Sequence, residues 1–169
     1  QAAVRRTAKQ AEYQNCEVQQ LVENLEHIAD GDFQPLPSVA DADEDTAAMH
    51  DNFLHIHAAL TRTVNAVEAM VESSQSLARC GMEGRLDARI DVNGHRGVYR
   101  QVVEGMNALL EALSVPLNEC RCVLGEAAQG NLTYSMTENY RGSFDDLKQS
   151  VNVTLHQLSS ALGKVAENS

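Results

Sequence analysis

The chain has 169 residues, a formal net charge of −11, 43% apolar and 4% aromatic residues, and no Trp. That excess of Asp and Glu would be repelled by phosphate, which argues against a nucleic-acid partner or an anionic membrane surface. Apolar residues drawn mainly from Ala, Val and Leu suit narrow helical seams better than the core of a broad globular domain.

No stretch approaches the roughly 20 apolar residues that span a bilayer, and Gln1-Ala2-Ala3-Val4-Arg5-Arg6 lacks a signal-peptide core. The expectation is a fragment of a longer protein that does not itself insert into a membrane. Cys16, Cys80, Cys120 and Cys122 are scattered without a disulfide framework, which points to a reducing cytoplasm.

Residues 1–14 are polar and weakly periodic, as in the tail of an upstream helix. Val18, Leu21, Val22, Leu25, Ile28 and Ala29 then mark an apolar stripe of helical period. Gly31 follows the last periodic residue, where positive φ stops a helix without steric cost. After a connector containing Phe33, a second helix carries a heptad seam of Met49, Phe53, Ile56, Leu60, Thr63, Val67, Met70, Ser74 and Leu77. Gly84 closes that run. The next connector holds Leu86 and Ile90, and the next seam is Tyr99, Val103, Met106, Leu110, Leu113, Leu117, Cys120, Leu124 and Ala127. Gly130, Leu132 and Met136 repeat the pattern, and the final seam is Phe144, Lys148, Val151, Leu155, Leu158, Leu162 and Val165. Aligned on these seams, His57, Asn107 and Asn152 are equivalent.

The chain therefore reads as three tandem copies of helix, connector and helix, at 15–69, 70–115 and 116–169. From Gly31 to Met49 is 18 residues, from Gly84 to Tyr99 is 15, and from Gly130 to Phe144 is 14. An antiparallel hairpin needs only about 2 to 8. A helix of about 15 residues is about 22 Å long, which roughly 14 extended residues can retrace, so the second helix can start parallel to the first. Leu86 with Ile90, and Leu132 with Met136, are then anchors that pin the returning segment, with Gly31 and Phe33 their counterparts in repeat one. Two parallel helices leave a strip too wide to bury alone, and a homodimer solves this with a parallel four-helix bundle. The competing fold, an antiparallel three-helix rod, would have short loops and a longer repeat.

The motif Gly-x-apolar-x-x-x-apolar between helices resembles the HAMP domain, a signal-relay module of bacterial chemoreceptors and sensor histidine kinases. Three copies in series look like a poly-HAMP array. Val103-Glu104-Gly105-Met106-Asn107 and Val115-Pro116-Leu117-Asn118 are similar to arrays in methyl-accepting chemotaxis proteins. The resemblance implies an all-α fold of parallel coiled-coil bundles stacked in series as a homodimer. It also implies that Pro116 opens the first helix of repeat three. Repeat one departs most from the pattern. Pro35 and Pro37 stand where the second anchor belongs, leaving Leu36 or Val39 to serve, and Asp43-Glu44-Asp45-Thr46 lacks the family's glycine. His95-Arg96-Gly97 and Tyr140-Arg141-Gly142 keep the glycine without the acidic pair.

Residues suggestive of chemistry have structural readings. His50, His55 and His57 share a helix, but no carboxylate or Cys completes a tetrahedral metal set. Cys120-Arg121-Cys122 is not a C-x-x-C redox pair, and the glycine motifs lack the strand of a phosphate loop. No metal, cofactor or catalytic constellation is expected. The expected function is a non-enzymatic relay that passes conformational change from an upstream sensor to a downstream chemoreceptor or kinase output module. A passive dimerising spacer is the alternative. Met49 to Gly84 spans 35 residues and Tyr99 to Gly130 spans 31, a four-residue stutter that shifts seam phase between repeats. Repeat one should therefore join repeat two through the longer continuous helix, with a shorter junction near Pro116 and alternate packing in adjacent repeats.

Overall fold

The computed structural model describes the backbone of residues 1–167 and the side chains of residues 1–165; the end of the third repeat, 168–169, lies outside the described residues. Four helices carry the fold: α1 (Ala2–Ala29), α2 (Ala47–Met82), α3 (Gly97–Ala128) and α4 (Ser143–Glu167), with a short 3-10 turn at Val92–Gly94. No strand occurs among the described residues, in agreement with the expected all-α class. Helix α1 runs without a break through residue 14.

The helix ends follow from local chemistry repeated along the chain. Gly31, Gly84 and Gly130 have φ of 79°, 76° and 91°. In each case the glycine N–H bonds the carbonyl three residues back, and the next N–H bonds the carbonyl five back, as in Asp32 to His27, Arg85 to Cys80 and Asn131 to Glu126. This Schellman pattern satisfies carbonyls that the ending helix would otherwise leave open. Gly97 and Gly142, both at φ 56°, stand at the first residue of α3 and immediately before α4. Repeat one has no glycine there. Asp43 starts the turn into α2 instead: its Oδ1 accepts from the Asp45 N–H, its carbonyl from the N–H groups of Thr46 and Ala47, and its own N–H donates to Thr46 Oγ1.

Helix α2 has 36 residues and α3 has 32, so the four-residue difference read from the junctions is present in the helices. The reading of Pro116 as the opening residue of a helix is corrected. Pro116 lies inside α3 and is fully buried. Proline costs a helix interior one hydrogen bond and a clash with the preceding turn, and tertiary burial holds α3 together across it.

Two compact units form, one from Gln1–Gln75 with Asn93–Arg100, the other from Ser76–Val92 with Gln101–Ser169. In the first, the Tyr13 and Phe53 rings meet edge to face with centroids 6.4 Å apart. Tyr13 also reaches His50, while Glu17 to Asn24 share a pocket with Phe53 to Leu60. Contacts thus rise together along both helices, so α1 and this part of α2 run parallel, as the connector length allows. In the second unit, Val123, Met136, Val151 and Leu155 form the buried core, with Cys120, Ala127, Leu132, Tyr140 and Leu147 packed against it.

Burial along the helices follows the heptad seam only in part. On α3, Val103, Leu110, Ser114, Pro116 and Val123 are buried, whereas Leu113, Leu117 and Leu124 are exposed. On α2, Val64 is buried while its seam neighbour Thr63 is exposed and bonds the Ala59 carbonyl. Met49, Phe53, Leu60, Val67, Met70 and Met106 are half-buried, Ile56 is exposed, and on α4 Val151 and Leu155 are buried while Leu158 and Leu162 are exposed. At Thr63, Leu113, Leu117 and Leu124 the residue buried within the chain is the neighbour of the seam residue, about 100° around the helix, whereas Val103, Leu110, Val151 and Leu155 are seam residues that are buried.

Candidate functional site

The feature that repeats is a clamp between a helix and its connector. In the second connector, the Ile90 N–H donates to Asn107 Oδ1 and Asn107 Nδ2 donates to the Ile90 carbonyl, both at 2.9 Å. In the third, the Met136 N–H donates to Asn152 Oδ1 at 2.9 Å, and Asn152 Nδ2 donates to the Met136 carbonyl at 3.0 Å. A side-chain amide carries one acceptor and a donor pair in the geometry of a peptide group. It therefore satisfies both polar groups of an anchor residue whose side chain is packed inward. Met136 is 2% exposed; without Asn152 its backbone would have neither water nor a ladder partner.

Repeat one builds the clamp from other residues. The Ala40 N–H donates to Glu17 Oε1 at 2.9 Å, Tyr13 Oη–H donates to the Ala40 carbonyl at 2.8 Å, and His50 Nδ1 lies 3.0 Å from the same oxygen. Both backbone groups of one connector residue are again engaged, now by α1 and by a histidine two turns before His57. Lys9 pairs with Asp43, and Gln10 Nε2 donates to the Asp45 carbonyl. The hydrogen bond and charge of Lys9 hold the Asp43 carboxyl below the usual carboxylate range, and Asp43 in turn raises Lys9. Burial pushes the Tyr13 hydroxyl up, with Glu17 adding to it.

A second tie joins the first helix of a repeat to the residue before Arg-Gly. Tyr140 Oη–H donates to Glu119 Oε2 at 2.6 Å, and Glu119 Oε1 accepts from the Thr137 N–H at 2.8 Å. The matching positions in repeat two are Ser73 and His95, with Oγ and Nε2 3.3 Å apart and His95 buried. Burial would raise the Glu119 carboxyl, but hydrogen bonds from Tyr140 and from the Thr137 and Glu138 N–H groups outweigh it and hold the carboxyl low. Burial and the Glu119 carboxylate push Tyr140 up to about 12. Lys148, read as a seam residue, leaves the seam and donates to the Thr137 and Glu138 carbonyls at 3.2 and 2.7 Å.

Of the anchors read from the sequence, Met136 is buried and Phe33, Leu86, Ile90 and Leu132 are half-buried. Leu132 and Met136 meet in one core. Gly31, Gly84 and Gly130 sit at the helix ends. Sequence reasoning aligned Asn107 and Asn152 without giving them a task. The signal was available: a polar residue held at the same seam-flanking position in two repeats. Glu119 and Tyr140 carried no such signal, because their partners in repeat two are of different types. Among the described residues, no group of three or more His, Cys, Asp or Glu side chains is placed to hold a metal ion. No helix among the described residues is long and apolar enough to cross a membrane.

Residues 94–160 match the family described as HAMP domain. The match covers α3, the third connector and most of α4. The chain is also similar to the methyl-accepting chemotaxis protein McpB of Pseudomonas aeruginosa, with 30% identity over 91 residues, or 54% of the chain. It spans 13% of that protein's length.

Proposed function

We propose that the chain is a run of three HAMP-like repeats, at 15–69, 70–115 and 116–169, that pair as a parallel homodimer in the cytoplasmic part of a receptor. The run relays conformational change, without catalysis, from an upstream sensor to a downstream output module in the same protein. The observation that carries this reading is a row of exposed leucines on α3 and α4. Within one chain Ser114, Pro116 and Val123 are buried, while Leu113, Leu117, Leu124, Leu158 and Leu162 are 37 to 60% exposed. Leucines at heptad spacing left open beside a small core call for a second apolar surface, and another copy offers the same line in register.

Relay rather than spacing is supported by helices that serve two repeats. Helix α2 is the second helix of repeat one and the first of repeat two, and α3 stands likewise between repeats two and three. A rotation or tilt of either helix is thus imposed on both repeats. The same-fold alternative is a passive dimerising spacer.

Disulfide trapping tests the dimer. In a background with Cys16, Cys80, Cys120 and Cys122 replaced by Ser, Leu113→Cys cross-links the two chains; a helical monomer at micromolar concentration refutes the pairing. The relay is tested in the full-length receptor by inserting two residues into α3 beside Pro116. Output is lost or inverted while cross-linking at Leu113→Cys persists; unchanged output identifies a spacer.

A further inference from the structure

We propose that repeat one holds a single bound water between α1 and α2, on the ring nitrogen of His57, where the other repeats place their asparagine clamp. His57 aligns with Asn107 and Asn152, but it has no backbone to clamp. Pro37, six residues after Gly31 as Ile90 is after Gly84, has no N–H. Ala40, which lies seventeen residues before His57 as Ile90 does before Asn107, already has its N–H taken by Glu17 and its carbonyl by Tyr13 and His50.

The consequence is visible at His57. Its Nε2 is buried and has no hydrogen-bond partner, the one such side-chain atom found among the described residues. The ring borders a pocket of about 20 Å³ that is also lined by Glu17, Gln20 and Asn24, with Leu21 and Phe53 among its apolar walls. That volume suits one water, which needs roughly 10–15 Å³, and no organic ligand. The polar lining supplies the two or more partners that separate a hydrated site from a dry apolar void. Asn24 is 6% exposed, and its Oδ1 accepts from Gln20 Nε2 at 3.4 Å, so its amide nitrogen can donate to the water. With the ring proton on Nδ1, Nε2 accepts from the water O–H. Repeat one then has a water between its helices at the position where repeats two and three carry the asparagine that clamps their connector.

Crystals of the whole chain that order solvent should show a water within hydrogen-bond distance of both His57 Nε2 and an α1 side chain. An empty pocket, or Nε2 bonded directly to a protein group, overturns the proposal. Thermal midpoints give an independent reading in solution. With a bridging water, His57→Leu and Asn24→Leu each strand a partner and lower the midpoint by about 2 to 4 °C, and the double variant recovers most of the loss. If the pocket is dry, His57→Leu removes an orphaned nitrogen and raises the midpoint, which refutes the site. Should a variant fail to fold, the crystal result on the unaltered chain decides.

Discussion

Replacing Asn152 tests whether the clamp holds the connector or merely accompanies it. Asn152→Ala removes both hydrogen bonds to Met136, whose residue is 2% exposed. A buried N–H or C=O left without a partner costs about 1 to 3 kcal/mol. The two together cost about 2 to 6, toward the lower end where the truncated side chain leaves room for water. We expect about 2 to 4 kcal/mol from denaturant midpoints at fixed protein concentration, since association adds to apparent stability. Asn152→Asp sharpens the test. The carboxylate still accepts from the Met136 N–H but turns a second oxygen toward the Met136 carbonyl, so at neutral pH it is no better than Ala. Repulsion raises this carboxyl's pKa in the folded state, so stability returns as pH falls through that value and the protonated oxygen donates to the carbonyl. Asn107→Ala follows the same logic with a smaller loss, because Ile90 is only half-buried. An Asn152→Ala loss below about 0.5 kcal/mol, or an Asp variant indifferent to acid, would show that the clamp carries no load.

Glycine to alanine should change sign along the chain. Gly130→Ala places a Cβ at φ 91° and costs about 1 to 2 kcal/mol, while helical Gly105→Ala, with open space around it, gains about 0.5 to 1 kcal/mol; equal signs in thermal unfolding refute the helix-stop assignment. Met136→Ala should cost about 2 to 5 kcal/mol, and Leu132→Ala less, since Leu132 is half-buried; the reverse order in denaturant melts would overturn the ranking of anchors. Because the folded Glu119 carboxyl lies below its ordinary 4.5, the stability it contributes is present above that value and lost as pH falls below it. Tyr140, raised from 10.0 to about 12, contributes stability below pH 10 that is lost as pH rises between those values. Glu119→Gln should flatten the acid limb of a stability–pH profile and Tyr140→Phe the alkaline limb; unchanged limbs would mean that this pair is not coupled to folding.

Much of the architecture was legible because it depends on local chemistry. Helix ends at Gly31, Gly84 and Gly130 follow from glycine's access to positive φ, and the connectors are long enough for a parallel return. The difference of four residues between α2 and α3 was readable from spacing alone. The offset of Leu132 and Met136 from Gly130 was likewise readable, and these two side chains meet in one core.

What escaped the sequence was set by the neighbours a residue meets. Pro116 looks like a helix opener because its missing N–H suits a first turn, yet burial keeps it inside α3. Heptad counting selects Leu124, but the chain's own interior receives Val123, one step around the helix. The clamps are the clearest case. Asn107 and Asn152 resemble any polar residue beside a seam until folding brings an anchor's N–H and C=O within 3.0 Å. In repeat one Glu17 and Tyr13 from α1 and His50 from α2 do the same work for Ala40. Periodicity and glycine chemistry are written into consecutive residues, so the sequence by itself determined where helices run and stop. A hydrogen bond between residues sixteen to twenty-seven positions apart depends on how two helices and a connector pack, and only the tertiary structure decided it.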